Sequence, residues 1–352
     1  MKGLILCGGK GTRLKPITNF IPKQLIPIAN KPLIFYTIDL LLKAGIKEIG
    51  ILVNEENEKI FKQYLKDKFK MDFHYIIQDN PKGIADGLLA AEDFIGDENF
   101  IMILGDNSFE LDLKGFIDDF LKNRNNCKLL LKEVDNPEKF GVAYIANNKI
   151  INLEEKPKVA YSNLAITGIY AFDYNIFQGC RNIEISQRGE YEITDAIRWL
   201  IQNEYHIGYE ILSGYWRDVG THSDVLEENI NRLNTMENNI KGHIENSSVS
   251  GNVILENGAV IYNSIVRGPI VVGENSTIKN SYIGPYTSIG KDVMINKANI
   301  ECSILLDKSS VFSIETNIDS SIIGEGSIIT KENRLKKANR LMTGRDSIIY
   351  LK

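Results

Sequence analysis

Leu4-Ile5-Leu6-Cys7-Gly8-Gly9-Lys10-Gly11-Thr12-Arg13, followed shortly by Pro22-Lys23-Gln24-Leu25, is the stretch from which the fold can be read. Leu4 to Cys7 form an apolar run of one strand's length that opens straight into a glycine-rich turn. Glycine reaches φ > 0 and places no Cβ between its N–H groups and a ligand. A turn with several inward N–H groups is an anion-binding concavity suited to phosphates. Arg13 adds a planar charged fork and Lys23 a point charge. Two other phosphate loops are excluded by the same residues. The pattern G-x-G-x-x-G needs a third glycine where Leu14 stands, and the Walker pattern needs Ser or Thr after Gly9-Lys10, where Gly11 follows.

Up to about residue 235 short apolar strands alternate with amphipathic helices. The strand candidates are 4–7, 49–53, 73–77 and 100–104; helices are expected over 33–44, 58–67 and 84–94, with Gly45 as a C′ glycine. Continuous apolar strands separated by helices predict an α/β, doubly wound, mostly parallel sheet. Ligands of such sheets bind at the carboxyl ends of the strands. The Gly8–Arg13 turn and the Gly105-Asp106-Asn107 turn both follow strands, so both are expected on one rim.

The second half has another period. Ile254, Val260, Val266, Val272 and Ile278 recur every six residues; after a one-residue slip Ile283, Ile289 and Ile295 continue, and Ile323 and Ile329 repeat the step. A hexapeptide repeat predicts a parallel β-helix. Asn229–Asn246 is expected to be a connecting helix and linker, 331–340 a basic helical cap and 347–351 a short strand. The domains expected are 1–238 and 239–352.

The chain has 352 residues, 43% of them hydrophobic and 25% charged, and a net charge of -5. That balance argues against coating nucleic acid or an anionic membrane, so phosphate chemistry must rest on a local cluster of cations. Its four cysteines lack C-x-x-C spacing, which fits neither a zinc site nor a disulfide framework and suits a reducing cytosol. No apolar run approaches the roughly 20 residues of a membrane span, and no signal-peptide pattern opens the chain. The expectation is a cytoplasmic protein with no nucleic-acid and no membrane partner.

Further polar groups gather around glycines at Glu154-Glu155-Lys156-Pro157, Thr167-Gly168-Ile169-Tyr170, Arg188–Asp195 and Trp216-Arg217-Asp218-Val219-Gly220. Read alone, the first is an exposed ion pair, the third a helix cap at Glu192 or Thr194, and Asp218 an Asx cap in a turn. Read in order, with GGKGTRLKPIT at 8–18, PKQLIPIANKP at 22–32, GDN at 105–107 and FGV at 140–142, they resemble the sugar-1-phosphate nucleotidylyltransferase family. The resemblance is to its glucose-1-phosphate thymidylyltransferase branch, in the long form with a left-handed β-helix tail.

The resemblance implies a fold, a reaction and a set of site residues. The fold is a Rossmann-like nucleotidyltransferase domain followed by a left-handed parallel β-helix. The reaction joins dTTP and glucose 1-phosphate into dTDP-glucose and pyrophosphate with Mg²⁺. Gly8, Gly9, Gly11 and Thr12 would wrap the nucleotide phosphates, and Arg13 would meet the departing pyrophosphate. Lys23, with Gln24 beside it, would face the α-phosphoryl group, and Lys156 the sugar phosphate. Asp106 and Asp218 would hold the metal. Gln78 and Gly83 would meet the base; Gly141, Glu155, Ile166 and Tyr170 the sugar. UTP, or GTP with mannose 1-phosphate, are alternative substrates. An acyltransferase activity of the repeats would call for a histidine base, and His74, His206, His222 and His243 are read as lying outside them. A binding subunit would have lost site charges that this chain retains. The β-helix is expected to serve homo-oligomer assembly.

Overall fold

Strand β1 (Lys2–Leu6) is central in a nine-stranded sheet because its apolar run offers two faces for burial. The computed structural model describes residues 1–9, 11–78 and 81–331. Two compact units emerge, Met1–Lys10 with Ile34–Asp218, and Gly11–Leu33 with the chain from Val219 onward. The other strands of the first unit are β2 (Ile49–Val53), β3 (His74–Ile77), β4 (Phe100–Leu104), β5 (Asn107–Phe109), β6 (Cys127–Glu133), β7 (Gly141–Ala146), β8 (Lys149–Glu155), β9 (Leu164–Phe172), β10 (Ile207–Ile211) and β11 (Trp216–Asp218).

The sheet order is β8–β7–β9–β4–β1–β2–β3, with β6 paired to β9 and to β10. Strands β3, β2, β1 and β4 are parallel. Their predicted extents agree with the structure within two residues at each end. Helices Leu33–Lys43 and Glu55–Lys68 form where the period predicts them, the second starting three residues early. The third breaks at Ala91 into Ile84–Ala90 and Glu92–Ile95.

On the far side β9 runs antiparallel to β4, β6 and β7. It changes neighbours at Thr167-Gly168: Ile169–Phe172 pair with β4, whereas Ala165 pairs with β7. Gly168 has φ 87°, and a Cβ there would lie 3.0 Å from Leu104 Cδ1. Buried Thr167 donates its hydroxyl to Leu130 O at 2.9 Å. The Thr167–Tyr170 motif is therefore a glycine bulge that re-aims a strand.

In the second unit six short strands stack in parallel on one face, and a nine-stranded sheet bends around the other two through the long strands Met294–Glu301 and Ser310–Asp319. The pairing steps Val260–Thr277–Met294, a coil of seventeen residues. Steps of six, six and five therefore replace a uniform six. This corrects the phase of the first repeats: Leu255 and Ile261 fill the core, not Ile254 and Val260. Each site is an aliphatic doublet, so either member satisfies the pattern. Ile254 faces outward and packs with Ala29 and Leu233. The corners hold Asn246, Asn263 and Asn280 in the left-handed region that asparagine tolerates. Asn263 and Asn280 join side chain to side chain at 2.7 Å.

Helix His222–Asn234 begins with a capping box between Thr221 and Asp224. Strands resume at Asn239–Ile240 and His243–Glu245, so the expected linker through Asn246 is already β-helix. His243 accordingly lies in the first coil, paired with Val260, contrary to the reading that placed every histidine outside the repeats. The expected cap at 331–340 and the strand at 347–351 lie outside the described residues, apart from Lys331. Among the described residues no helix is long and apolar enough to cross a membrane.

Asn229 is fully buried and joins three segments. Its Oδ1 accepts from Ala29 N (2.8 Å) and Ser288 Oγ (2.6 Å), and its Nδ2 donates to Tyr286 O (3.1 Å). An unsatisfied buried polar group costs about 1–3 kcal/mol. Asn229→Ala should therefore destabilise the protein by at least about 2 kcal/mol, read as a lower urea midpoint, and Asn229→Asp should cost at least as much, because it sets a buried carboxylate oxygen against Tyr286 O in place of the amide donor.

Candidate active site

The register of the parallel strands brings their turns together. Leu6 pairs with Leu52 on one side and Leu104 on the other. Beyond it Cys7 N donates to Leu52 O at 2.8 Å, Gly105 N to Leu6 O at 2.9 Å and Gln78 N to Val53 O at 3.0 Å. The turns at Gly8, Gln78 and Gly105 thus share one carboxyl edge within the first unit. Gly105 must be glycine, because a Cβ would lie 2.7 Å from Cys7 Sγ.

Gln78, buried, lies between two glycines: a Cβ on Gly8 would be 3.2 Å from its Oε1 and one on Gly87 3.4 Å. Its Nε2 donates to Asp86 Oδ2 at 2.6 Å. Gly83 has φ 114°, and a Cβ there would lie 2.4 Å from Tyr191 O. Packing alone therefore demands glycine at this position.

The two acids expected at the site are adjacent. Antiparallel pairing of β11 with β5 places Asp218 opposite Asn107, the residue after Asp106. Asp218 lies on a strand, not in the Asx turn that its local sequence suggests. The Asn107 amide links the elements: it accepts from Trp216 Nε1 at 2.7 Å and donates to Asp106 Oδ1 at 2.9 Å. The Phe140 ring meets Trp216 edge-on at 5.1 Å. Asn107 and Trp216 thus tie the two strands to Asp106; the sequence reading did not single them out, although both lie inside its motifs.

A third cluster forms around Glu155. A Cβ on Gly141 would be 2.9 Å from Thr194 Cγ2, 3.0 Å from Glu155 Oε2 and 3.3 Å from Ile166 Cδ1. Three of the four expected sugar residues meet there. The fourth, Tyr170, is buried in the core and stacks on Phe172; burial, then the Glu155 charge, pushes its phenol well up. Lys156 follows with φ 44° and its N–H on Phe140 O. Arg188, not among the expected residues, reaches Glu192 Oε1 at 3.1 Å and Glu155 Oε1 at 3.3 Å. Glu192 is the residue before helix Ile193–Gln202, as expected, yet its side chain makes no cap. It accepts from Ser186 Oγ at 2.9 Å instead. Burial raises Glu155 above the ordinary carboxylate value, against the opposing pull of Lys156 and then of Arg188, with Glu192 reinforcing the rise.

The second unit carries the remaining cations. Gly11 has φ 59° and accepts from Thr18 Oγ1 at 2.8 Å; a Cβ there would lie 2.9 Å from Thr18 Cγ2. Thr12 and Arg13 are exposed in the turn that follows, and Gly220 leaves room for the Arg13 guanidinium, whose Nη2 would be 2.8 Å from a Cβ. Gln24 is buried, and its Oε1 has no hydrogen-bond partner among the described residues.

Comparison with known proteins agrees with this architecture. Residues 2–235 match the nucleotidyl transferase family model, and 231–321 match a GlmU-like C-terminal hexapeptide model. The chain belongs to the nucleotidyl transferase family. It is 39% identical to a glucose-1-phosphate thymidylyltransferase of Streptomyces griseus, covering 98% of each chain. It is 42% identical to the bifunctional protein GlmU of Methanocaldococcus jannaschii, over 92% of this chain and 78% of that one. A Bacillus anthracis structure solved with sucrose and assigned as a glucose-1-phosphate thymidylyltransferase superposes with a TM-score of 0.61 at 40% identity, covering 65% of this chain and 94% of that one. The α/β sheet and the hexapeptide β-helix expected from the sequence are thus both present in this nucleotidyl transferase.

An acid whose pKa is raised on folding binds more protons folded than unfolded, so stability falls as pH rises through the window above its ordinary value. For Glu155 that window opens at about 4.5. Glu155→Gln should therefore raise the thermal midpoint at pH 8 and lose that advantage near pH 4. Calorimetry showing a lower midpoint at both values would contradict the assignment.

Proposed function

We propose that the protein transfers a thymidylyl group from dTTP to glucose 1-phosphate, releasing pyrophosphate and forming dTDP-glucose. The observation that carries this reading is the β11–β5 register, which sets Asp218 beside Asn107 and so next to Asp106 at the carboxyl edge of the sheet. The sugar-phosphate oxygen attacks the α-phosphorus in line, and the bond to the pyrophosphate oxygen breaks. No covalent enzyme intermediate is needed, so catalysis reduces to positioning and to stabilising the charge that spreads over the phosphoryl oxygens.

In this reading Gly8, Gly9, Gly11 and Thr12 give backbone N–H groups to the triphosphate. Arg13 takes the departing pyrophosphate and Lys23 the α-phosphoryl oxygens, with Gln24 behind it. Lys156 holds the sugar phosphate. Gln78 and Gly83 face the base. Gly141, Glu155 and Ile166 define the sugar site, with Tyr170 in the core behind them, and Glu155, acceptor-only when ionised, suits hydroxyl donors. The Asp106–Asp218 pair fits Mg²⁺, which takes one or two carboxylates together with substrate oxygens and water. Among the described residues no third His, Cys, Asp or Glu joins such a group. Bound there, the ion would neutralise charge on the phosphate oxygens. The β-helix serves homo-oligomer assembly, a role that light scattering tests.

A matrix of nucleoside triphosphates against sugar 1-phosphates, read as pyrophosphate release, tests the reaction. Release should require both substrates and be fastest with dTTP and glucose 1-phosphate; a maximum with UTP or with another sugar 1-phosphate would move the specificity and keep the chemistry. Arg13→Ala, Asp106→Asn and Asp218→Asn should each lose about 10²–10³ in kcat with unchanged circular dichroism. Full Mg²⁺-dependent turnover by Asp106→Asn would remove Asp106 from the metal site.

A further inference from the structure

The wall of the Gly8 turn is built from acceptors. Asp86 is on the first turn of helix Ile84–Ala90, and its Oδ2 takes the Gln78 Nε2 hydrogen at 2.6 Å. An ionised carboxylate only accepts, so the amide of Gln78 must turn its NH₂ to Asp86 and its oxygen the other way. That oxygen would lie 3.2 Å from a Cβ on Gly8 and 3.4 Å from one on Gly87, so the amide is held between two glycines. Asn54 adds a second acceptor. It occupies the N-cap of helix Glu55–Lys68 without making the cap hydrogen bond usual for that position. Its Oδ1 is buried, has no partner among the described residues, and would lie 3.5 Å from the same absent Cβ of Gly8. Two amide oxygens thus border one glycine-lined cradle, and one of them still lacks the donor that a buried acceptor requires.

We propose that Asp86 is a specificity-determining positioning residue. By fixing the Gln78 oxygen towards the Gly8 cradle, it makes the pocket accept a base whose edge offers a ring N–H, as thymine and uracil do, and reject cytosine. The inference rests on the proposed reading of this site as the nucleotide pocket. Cytosine has the same ring size but carries an acceptor at N3, so it would set lone pair against lone pair at the Gln78 oxygen. Asn54 Oδ1 completes the wall as an acceptor for a sugar hydroxyl of the nucleoside, because the one donor of the base edge, N3–H, is taken by Gln78. Sites built around a hydrogen bond reject analogues lacking it far more strongly than apolar pockets reject a missing methyl group.

The test compares kcat/KM for dTTP and dCTP with glucose 1-phosphate. The unaltered protein should prefer dTTP by about a hundredfold or more. Asp86→Asn, which can donate as well as accept, frees Gln78 to turn over and should cut that ratio by about tenfold or more. A merely structural role would slow both nucleotides alike and leave the ratio unchanged, which would overturn the proposal. Should the variant not fold, competition binding to the unaltered protein decides. N3-methyl-dTTP has lost the donor and should bind about a hundredfold more weakly than dTTP; equal binding would overturn the proposal. Absence of pyrophosphate release with every triphosphate would instead strike the proposed reaction, and the competition experiment would still read the base contact.

Discussion

One register governs the chemistry of the first unit. With Leu6 paired to both Leu52 and Leu104, the chain leaves three adjacent parallel strands at one edge. The turns after β1, β3 and β4 each donate a backbone N–H to the neighbouring strand, so they are fixed by the ladder that forms the core. A slip of one residue would invert the buried faces of β1 and also separate the Gly8 and Gly105 turns. The same hydrogen bonds therefore serve stability and site geometry.

The glycines around this edge answer to two different demands. Gly83, Gly105 and Gly168 are required by protein atoms, because a Cβ would meet Tyr191, Cys7 or Leu104 within 3.0 Å. Gly9 is exposed in the turn. Gly8 is intermediate, since its nearest would-be contact is the amide oxygen of Gln78 at 3.2 Å. A glycine-rich motif is thus a mixture of packing and recognition, and only the surrounding side chains separate the two.

Much of this was legible in the sequence, for identifiable reasons. Strands buried on both faces are continuous apolar runs, so β1, β2 and β4 could be read almost to the residue. The same property hides direction: β9 is as apolar as β4 and runs antiparallel to it. In the β-helix the period survived and the phase did not, because Ile254-Leu255 and Val260-Ile261 offer two aliphatic choices each. Asp106 and Asp218 could be picked out as acids beside glycines. Their adjacency depends on β5 pairing with β11, residues more than a hundred positions apart, which no local pattern encodes. The Arg188–Glu192 contact was equally invisible, since a helix cap explains Glu192 just as well from sequence.

The Glu155 cluster shows how such a site differs from a merely stable one. A carboxylate raised by burial would be replaced if stability alone mattered, and Gln would fit the same volume. Glu155 instead stands among Lys156, Arg188, Glu192 and the backbone of Gly141, a set whose charges nearly balance only when every member is present. Removing Arg188 would leave Glu155 and Glu192 without the cation they share. In the proposed reading, a sugar phosphate would bring further hydroxyl donors to Glu155 and negative charge to Lys156. Burial thus holds the Glu155 carboxyl raised while Lys156 and Arg188 pull against it, so the cluster keeps a carboxylate at a position where stability alone would favour the amide.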